Sequence, residues 1–105
     1  MDNCIFCNIM KKQSKNIIYQ NEHLFVIHDI KPKADVHLLI ISKKHIKNLQ
    51  FVDHTHKDIL ADMLLVLPKL SKMFSTYDSF KIVINNGKKS NQEIDHMHFH
   101  FLGYY

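Results

Sequence analysis

Apolar and polar positions recur along this chain with two periods, and those periods predict its elements. From Cys4 to Lys12 the apolar residues Ile5, Phe6, Ile9 and Met10 stand at helical spacing and predict a short amphipathic helix. Ile17-Ile18-Tyr19 reads as a strand, Gln20-Asn21-Glu22 as a turn and Leu24 to His28 as a second strand, so a hairpin is expected. Lys31-Pro32-Lys33-Ala34-Asp35 is a polar loop, and the β-branched and Leu-rich run from Val36 to Ile41 is a buried strand. A helical turn is expected between Lys43 and Leu49. From about Thr55 to Phe74, residues Ile59, Leu60, Met63, Leu64, Leu67, Leu70 and Phe74 form one helical stripe, which Leu65, Val66 and Met73 widen beyond a single face. Pro68 lies inside that pattern, where its ring removes a hydrogen bond and clashes with the preceding turn, so a kink is expected. Phe80 to Asn85 is a further strand, the segment from Asn86 to Gln92 is polar, and the last strand runs from roughly His96 to Leu102. This order predicts an α+β fold: a five-stranded, mostly antiparallel sheet with one long helix on a face and a short N-terminal helix.

Composition narrows the class. The chain has 105 residues, 46% of them apolar and 23% charged, which is one globular domain over residues 1–105 rather than a disordered segment. No apolar run approaches the roughly 18 residues of a membrane span. The start, Met1-Asp2-Asn3-Cys4, lacks a basic stretch followed by an apolar one, so a secretory leader is not expected and the cytoplasm is the default. The net charge is +4, yet all fourteen basic residues are Lys, scattered with only three adjacent pairs. Without Arg the bidentate contact to guanine is unavailable, and dedicated nucleic-acid recognition is not expected.

Nine histidines and two cysteines carry the candidate chemistry. In His96-Met97-His98-Phe99-His100 the imidazoles alternate with apolar residues, so on a strand the three rings share one face while Met97 and Phe99 turn to the core. A neutral imidazole is a nucleophile at phosphorus near pH 7, and its neighbours can stabilise a phosphoryl oxygen or protonate a leaving group. A metal site built on two or three of these histidines is the alternative. Cys4 and Cys7, at Cys-x-x-Cys spacing, can supply half of a tetrahedral zinc site, with His45 and His96 as candidates for the other half. The plain alternative is two free thiols on a short helix; a redox role lacks the βαβ context it needs. Asp29, at the end of a strand, could accept both hydroxyls of a ribose or be a solvated turn residue. Asn85-Asn86-Gly87 and Gln92 could present amides to phosphate or form an ordinary turn. His54 and His56, near the start of the long helix, read as exposed.

His96-Met97-His98-Phe99-His100-Phe101-Leu102 resembles the signature of the histidine triad (HIT) superfamily, in which histidines alternate with apolar residues. Cys4-Ile5-Phe6-Cys7 looks like the start of zinc-containing members, and His28-Asp29-Ile30, Ser42-Lys43-Lys44-His45-Ile46 and Asn85-Asn86-Gly87 match in order and spacing. The likeness covers nearly the whole chain and is nearest to the Hint-like branch of nucleotide-binding hydrolases. It implies that His98 is the nucleophile of a nucleotidyl-histidine intermediate and that His100 hydrogen-bonds the phosphate. It further implies that Cys4, Cys7, His45 and His96 hold structural zinc, and that Asp29 binds ribose. The base slot would comprise Ile5, Phe6, Ile9, Ile27 and Ile30 beside His28. Asn85, Asn91, Gln92 and Glu93 would lie on the phosphate side; Asn91 replaces the Gly of many members, and Asn takes left-handed backbone readily. The family dimerises through its long helix and adjoining strand, extending the sheet across two chains, which suits the two-sided apolar helix. The expected activity is cleavage at the α-phosphorus of purine nucleoside 5′-phosphoramidates or similar adducts. The alternatives are dinucleoside polyphosphate hydrolysis, a nucleotide-binding regulatory module, and a zinc-stabilised scaffold.

Overall fold

Five strands carry the chain's alternating pattern into one antiparallel sheet. The computed structural model describes residues 3–105; Met1 and Asp2, the first residues of the stretch read for a leader, lie outside the described residues. The strands are β1 (Tyr19–Gln20), β2 (Leu24–His28), β3 (Val36–Ser42), β4 (Phe80–Val83) and β5 (His98–Gly103), in spatial order β1-β2-β3-β5-β4. In the β2–β3 pair Leu24 stands opposite Ser42, and in the β3–β5 pair Ile41 stands opposite His98 and Leu39 opposite His100. Asn21 closes the first hairpin, its Oδ1 accepting the N–H groups of His23 (2.8 Å) and Leu24 (3.1 Å). β3 sits in the middle and is buried along its whole length, as the apolar run from Leu38 to Ile41 requires.

The period of two sorts side chains between two cores. Leu24, Val26, Leu38, Ile40, Phe99 and Phe101 face one way and pack under Met63, Val66, Leu67 and Leu70 of the long helical segment. Phe25, Ile27, Leu39 and Ile41 face the other way and pack under Phe6. Phe6 belongs to α1 (Ile5–Lys11), which therefore covers the opposite face of the sheet from the long segment. Each fully buried Phe, Leu or Met stabilises by roughly 1.5–3 kcal/mol, so both layers are held mainly by this burial.

The long segment comprises α2 (Lys57–Leu65) and α3 (Leu67–Met73), with Val66 between them still in right-handed backbone. The break falls two residues ahead of Pro68, which has no N–H to donate back to the preceding turn. The helical turn expected over Lys43 to Leu49 lies later, as a 3₁₀ turn at Leu49–Phe51 capped by Asn48. A second 3₁₀ turn, His54–His56, leads into α2. There Asp53 Oδ1 accepts the Thr55 N–H at 2.9 Å, and His56 Nδ1 accepts the Asp53 N–H at 3.0 Å. His56 is thus a buried half of a capping box rather than an exposed residue. The last strand begins at His98, two residues later than expected, because pairing with β3 starts only at Ile41. The first strand is Tyr19–Gln20 rather than Ile17 to Tyr19, with Gln20 taken from the expected turn, and β4 ends at Val83 rather than Asn85. Among the described residues, no helix is long and apolar enough to cross a membrane.

Candidate active site and metal centre

Alternation on β5 turns His98 and His100 to the α1 side of the sheet, where their rings meet at 5.3 Å between centroids. His98 is buried, with the Phe6 ring edge-on to it at 5.1 Å. Its Nδ1 lies 2.7 Å from the backbone carbonyl of His96, which can only accept. Nδ1 therefore carries the proton, and the lone pair of the neutral ring is on Nε2. Burial holds the His98 imidazolium below the ordinary histidine range, opposed by the His96 carbonyl and by the charges of Asp29 and Glu93. A neutral ring with its free nitrogen fixed is what nucleophilic attack requires.

A second imidazole pair adjoins it. His37, on β3, is buried and places Nε2 2.9 Å from Nδ1 of His100. The Lys33 backbone N–H points at His37 Nδ1 from 3.1 Å, so that nitrogen is an acceptor and the His37 proton sits on Nε2. His37 Nε2–H donates to His100 Nδ1, and the proton of His100 is thereby placed on its Nε2. Asp29 completes the group: Oδ2 is 3.4 Å from His37 Nε2 and 4.0 Å from His100 Nδ1, while Oδ1 accepts the Lys31 N–H at 2.8 Å. Burial depresses both rings; His98 and His37 add to the depression of His100, while the Asp29 charge opposes it for both. Asp29, His37 and His100 lie close enough to hold a metal by distance alone. Hydrogen bonding argues otherwise, because the nitrogen of His37 facing the group carries a proton where an ion needs a lone pair.

The other cluster is suited to an ion. Cys4 Sγ lies 3.2 Å from His96 Nδ1, and Cys7 Sγ lies 3.2 Å from His45 Nδ1 and 3.6 Å from His96 Nδ1. Cys4, Cys7, His45 and His96 are close enough to hold one metal ion. The His96 Nε2–H donates to the Ser42 carbonyl at 2.6 Å, which leaves the Nδ1 lone pair aimed at the sulfurs. His96 is fully buried, and burial, reinforced by the charges of His45 and His98, pushes its imidazolium down to about 4 against the pull of the Ser42 carbonyl. Burial and the adjacent Cys4 sulfur push the Cys7 thiol up, so a Cys7 thiolate here calls for a cation beside it.

The remaining expected residues divide. Phe6 and Ile27 share the core under α1, with Ile9 against it, while Ile5 and Ile30 are exposed and outside that core. His28 is not brought to this face: its ring meets Phe74 edge-on at 5.5 Å, because alternation along β2 turns it toward the long helical segment. Gln92 is buried, its Oε1 accepting from Gly87 N–H (2.8 Å) and its Nε2–H₂ donating to the carbonyls of Lys47 (2.8 Å) and Ile94 (3.0 Å). Its side chain is thus occupied in holding the loop in shape. Asn85 donates to the Ser90 carbonyl at 2.8 Å, and Asn91 adopts left-handed backbone with φ 67°. A cavity of about 440 Å³ opens beside Cys4, Ile5, His45 and Glu93. His37 is the residue that sequence reading passed over. Its signal was one polar ring in an otherwise apolar buried strand, which obliges it to have a hydrogen-bond partner.

The chain matches a family model described as "HIT domain" over residues 10–105. It is 38% identical over 104 residues to Protein HitA of Neisseria gonorrhoeae, covering 98% of this chain and 97% of that protein. Among solved structures it is similar to a HIT family hydrolase from Legionella pneumophila, with a TM-score of 0.90, 32% identity, and 96% and 92% of the two chains covered. It is also similar to a histidine triad nucleotide-binding protein from Candida albicans, with a TM-score of 0.83, 32% identity, and 94% and 73% covered.

Proposed function

The chain belongs to the HIT domain family, and from that premise we propose that it is a nucleotide-binding hydrolase acting at the α-phosphorus of purine nucleoside 5′-phosphoramidates or similar adducts. The observation that carries this reading is the state of His98: a buried neutral imidazole whose Nδ1–H is held by a carbonyl, leaving Nε2 as the reactive lone pair. Nε2 attacks phosphorus, the bond to the leaving amine breaks, and a nucleotidyl-histidine forms. Water then attacks the same phosphorus, and His98 Nε2 departs to regenerate the free ring. His100, with its proton on Nε2, stabilises a phosphoryl oxygen or protonates the leaving group. Asp29 takes the ribose hydroxyls, and Phe6, Ile9 and Ile27, with Ile5 and Ile30 at the rim, take the base. Asn85, Asn91, Gln92 and Glu93 serve the phosphate side as a shaped loop, Gln92 by holding it together. His28 has no side-chain part in this reading, since its ring faces Phe74.

Zinc is the ion proposed for Cys4, Cys7, His45 and His96. Bonds of about 2.3 Å to sulfur and about 2.0 Å to nitrogen give sulfur–nitrogen edges of about 3.5 Å in a tetrahedron. The separations of 3.2, 3.2 and 3.6 Å fit that figure. The ion is structural in this reading: four protein ligands close its coordination. We further propose one HIT domain over residues 1–105, working in the cytoplasm as a homodimer. Exposed Leu64, Leu65 and Met73 supply apolar surface for the partner, and the β4 edge continues the sheet. A mass of about 25 kDa by sedimentation would bear out the dimer, being twice the chain's 12.5 kDa; a 12.5 kDa species at micromolar concentration would refute it.

Substrate choice is tested by steady-state hydrolysis of adenosine 5′-phosphoramidate beside a diadenosine polyphosphate. The expected result is a higher kcat/KM for the phosphoramidate. A preference for the polyphosphate would reassign the substrate, and no turnover of either, with nucleotide still bound, would make the protein a binding module.

A further inference from the structure

The carbonyl that orients His98 lies outside the sheet. β5 begins at His98, so the backbone of His96 has no ladder partner on β3. Yet the His96 carbonyl must stay fixed, because it holds His98 Nδ1–H at 2.7 Å and so decides which nitrogen is free to react. What restrains the His96 carbonyl is the residue's own side chain together with the Met97 N–H of the same planar peptide, which donates to the Ile46 carbonyl at 2.6 Å, beside His45 of the same cluster. Nε2–H is tied to the Ser42 carbonyl at 2.6 Å, and Nδ1 points into the cluster with Cys4 and Cys7. Its backbone N–H has only the local carbonyl of Ile94, at 2.8 Å. We infer that the metal centre is a positioning device for the nucleophile: by gripping the His96 ring it fixes the His96 carbonyl, which in turn holds the His98 ring in its reactive tautomer. His96 is a positioning residue in this account, since it acts on the phosphorus only through His98. The inference rests on the zinc reading above and goes beyond a metal that merely pins α1 to the sheet.

Those two roles separate in kinetics. If the metal served only α1, its removal would loosen Phe6 and the base slot, raising KM and weakening nucleotide binding. If it positions His98, its removal lowers kcat while nucleotide binding, anchored by Asp29 and the apolar slot, changes little. The test begins with metal analysis of the full chain purified without chelators. Zinc is then stripped and restored, with four readings on each form: kcat, KM, the AMP dissociation constant, and the ¹⁵N shifts of the His98 ring. The expected result is a kcat lower by tenfold or more in the stripped form, KM and the AMP constant within threefold, and a His98 ring that averages between tautomers. Zinc restores all of these. Unchanged kcat with His98 still protonated on Nδ1, or a raised KM at constant kcat, overturns the inference while leaving the zinc reading intact. Absence of zinc from the starting protein overturns both. Should the stripped chain unfold, cadmium exchange keeps the cluster filled with a larger ion that displaces His96. Identical kcat and identical His98 shifts in the zinc and cadmium forms then overturn the inference, whereas a lowered kcat with altered shifts supports it.

Discussion

In His98 one ring nitrogen is held by a backbone carbonyl and the other is left with a lone pair on the α1 side of the sheet. His98→Ala removes the attacking atom, so turnover of a nucleoside phosphoramidate should fall on the order of 10⁴-fold or more, as nucleophile deletions elsewhere do. Nucleotide binding, measured by titration calorimetry with AMP, should fall far less. Retention of a near-normal rate, or a trapped adduct on another side chain, would remove the assignment. His37 acts at one remove. Without its Nε2–H, His100 is free to move its proton to Nδ1 and lose the donor aimed outward. His37→Phe should therefore lower kcat by roughly tenfold while moving KM little, an effect expected of a displaced acid–base partner; equal losses of kcat and nucleotide affinity would contradict that tautomer role. At this scale the triad and the four metal-centre residues were legible as residue types at a spacing. His37 was not, because its partner His100 is 63 positions away and nothing local pairs them.

Elements hold these residues through two local devices. Asn91 at φ 67° lets the loop return to the sheet after the Lys88–Ser90 turn. Asn91→Gly should be neutral or slightly stabilising, while Asn91→Ala should cost about 1 kcal/mol for left-handed backbone, read by urea denaturation; equal effects of the two would mean that the backbone there is not left-handed. Pro68 tests the long segment. It lies in the first turn of α3, where a missing N–H matters little. Pro68→Ala should change stability by less than about 1 kcal/mol, whereas a proline in the interior of one continuous helix would give a gain of about 3 kcal/mol on replacement. Periodicity located this segment, and Pro68 the break near it, because both depend on neighbours within a turn. It placed the start of the last strand two residues early, because where a strand starts is set by the partner across the ladder.

The whole molecule is built to keep several imidazoles neutral, and this sets its response to acid. His37, His96, His98 and His100 are all held below the ordinary histidine value, principally by burial. Between about pH 6.5 and those lower values the unfolded chain binds protons that the native one refuses, so stability falls as pH drops through that window. For His96 in the metal-free chain the window extends down to about 4. His23 has the opposite sign. Its hydrogen bond to Asp62 at 2.5 Å raises its pKa, so its contribution is complete below about 6.5 and is lost as pH rises through the raised value. The thermal midpoint should fall between pH 7.5 and 5, and His23→Ala should deepen that fall. A midpoint that rises on acidification would contradict the balance of four depressed rings against one raised.

Sequence alone determined what depends on short range. The α+β order, the alternation that gives β5 one imidazole face and one apolar face, and the donor types at Cys4, Cys7, His45 and His96 follow from periods of two and 3.6 and from the chemistry of each side chain. Tertiary structure decided what depends on distant partners. It turned His28 toward Phe74, and it fixed the protons of His100 and His96 by bringing the His37 ring to the one and the Ser42 carbonyl to the other. The physical reason is that a tautomer is chosen by whichever donor or acceptor meets each nitrogen. For His96 and His100 that meeting exists only after segments far apart in the chain have come together.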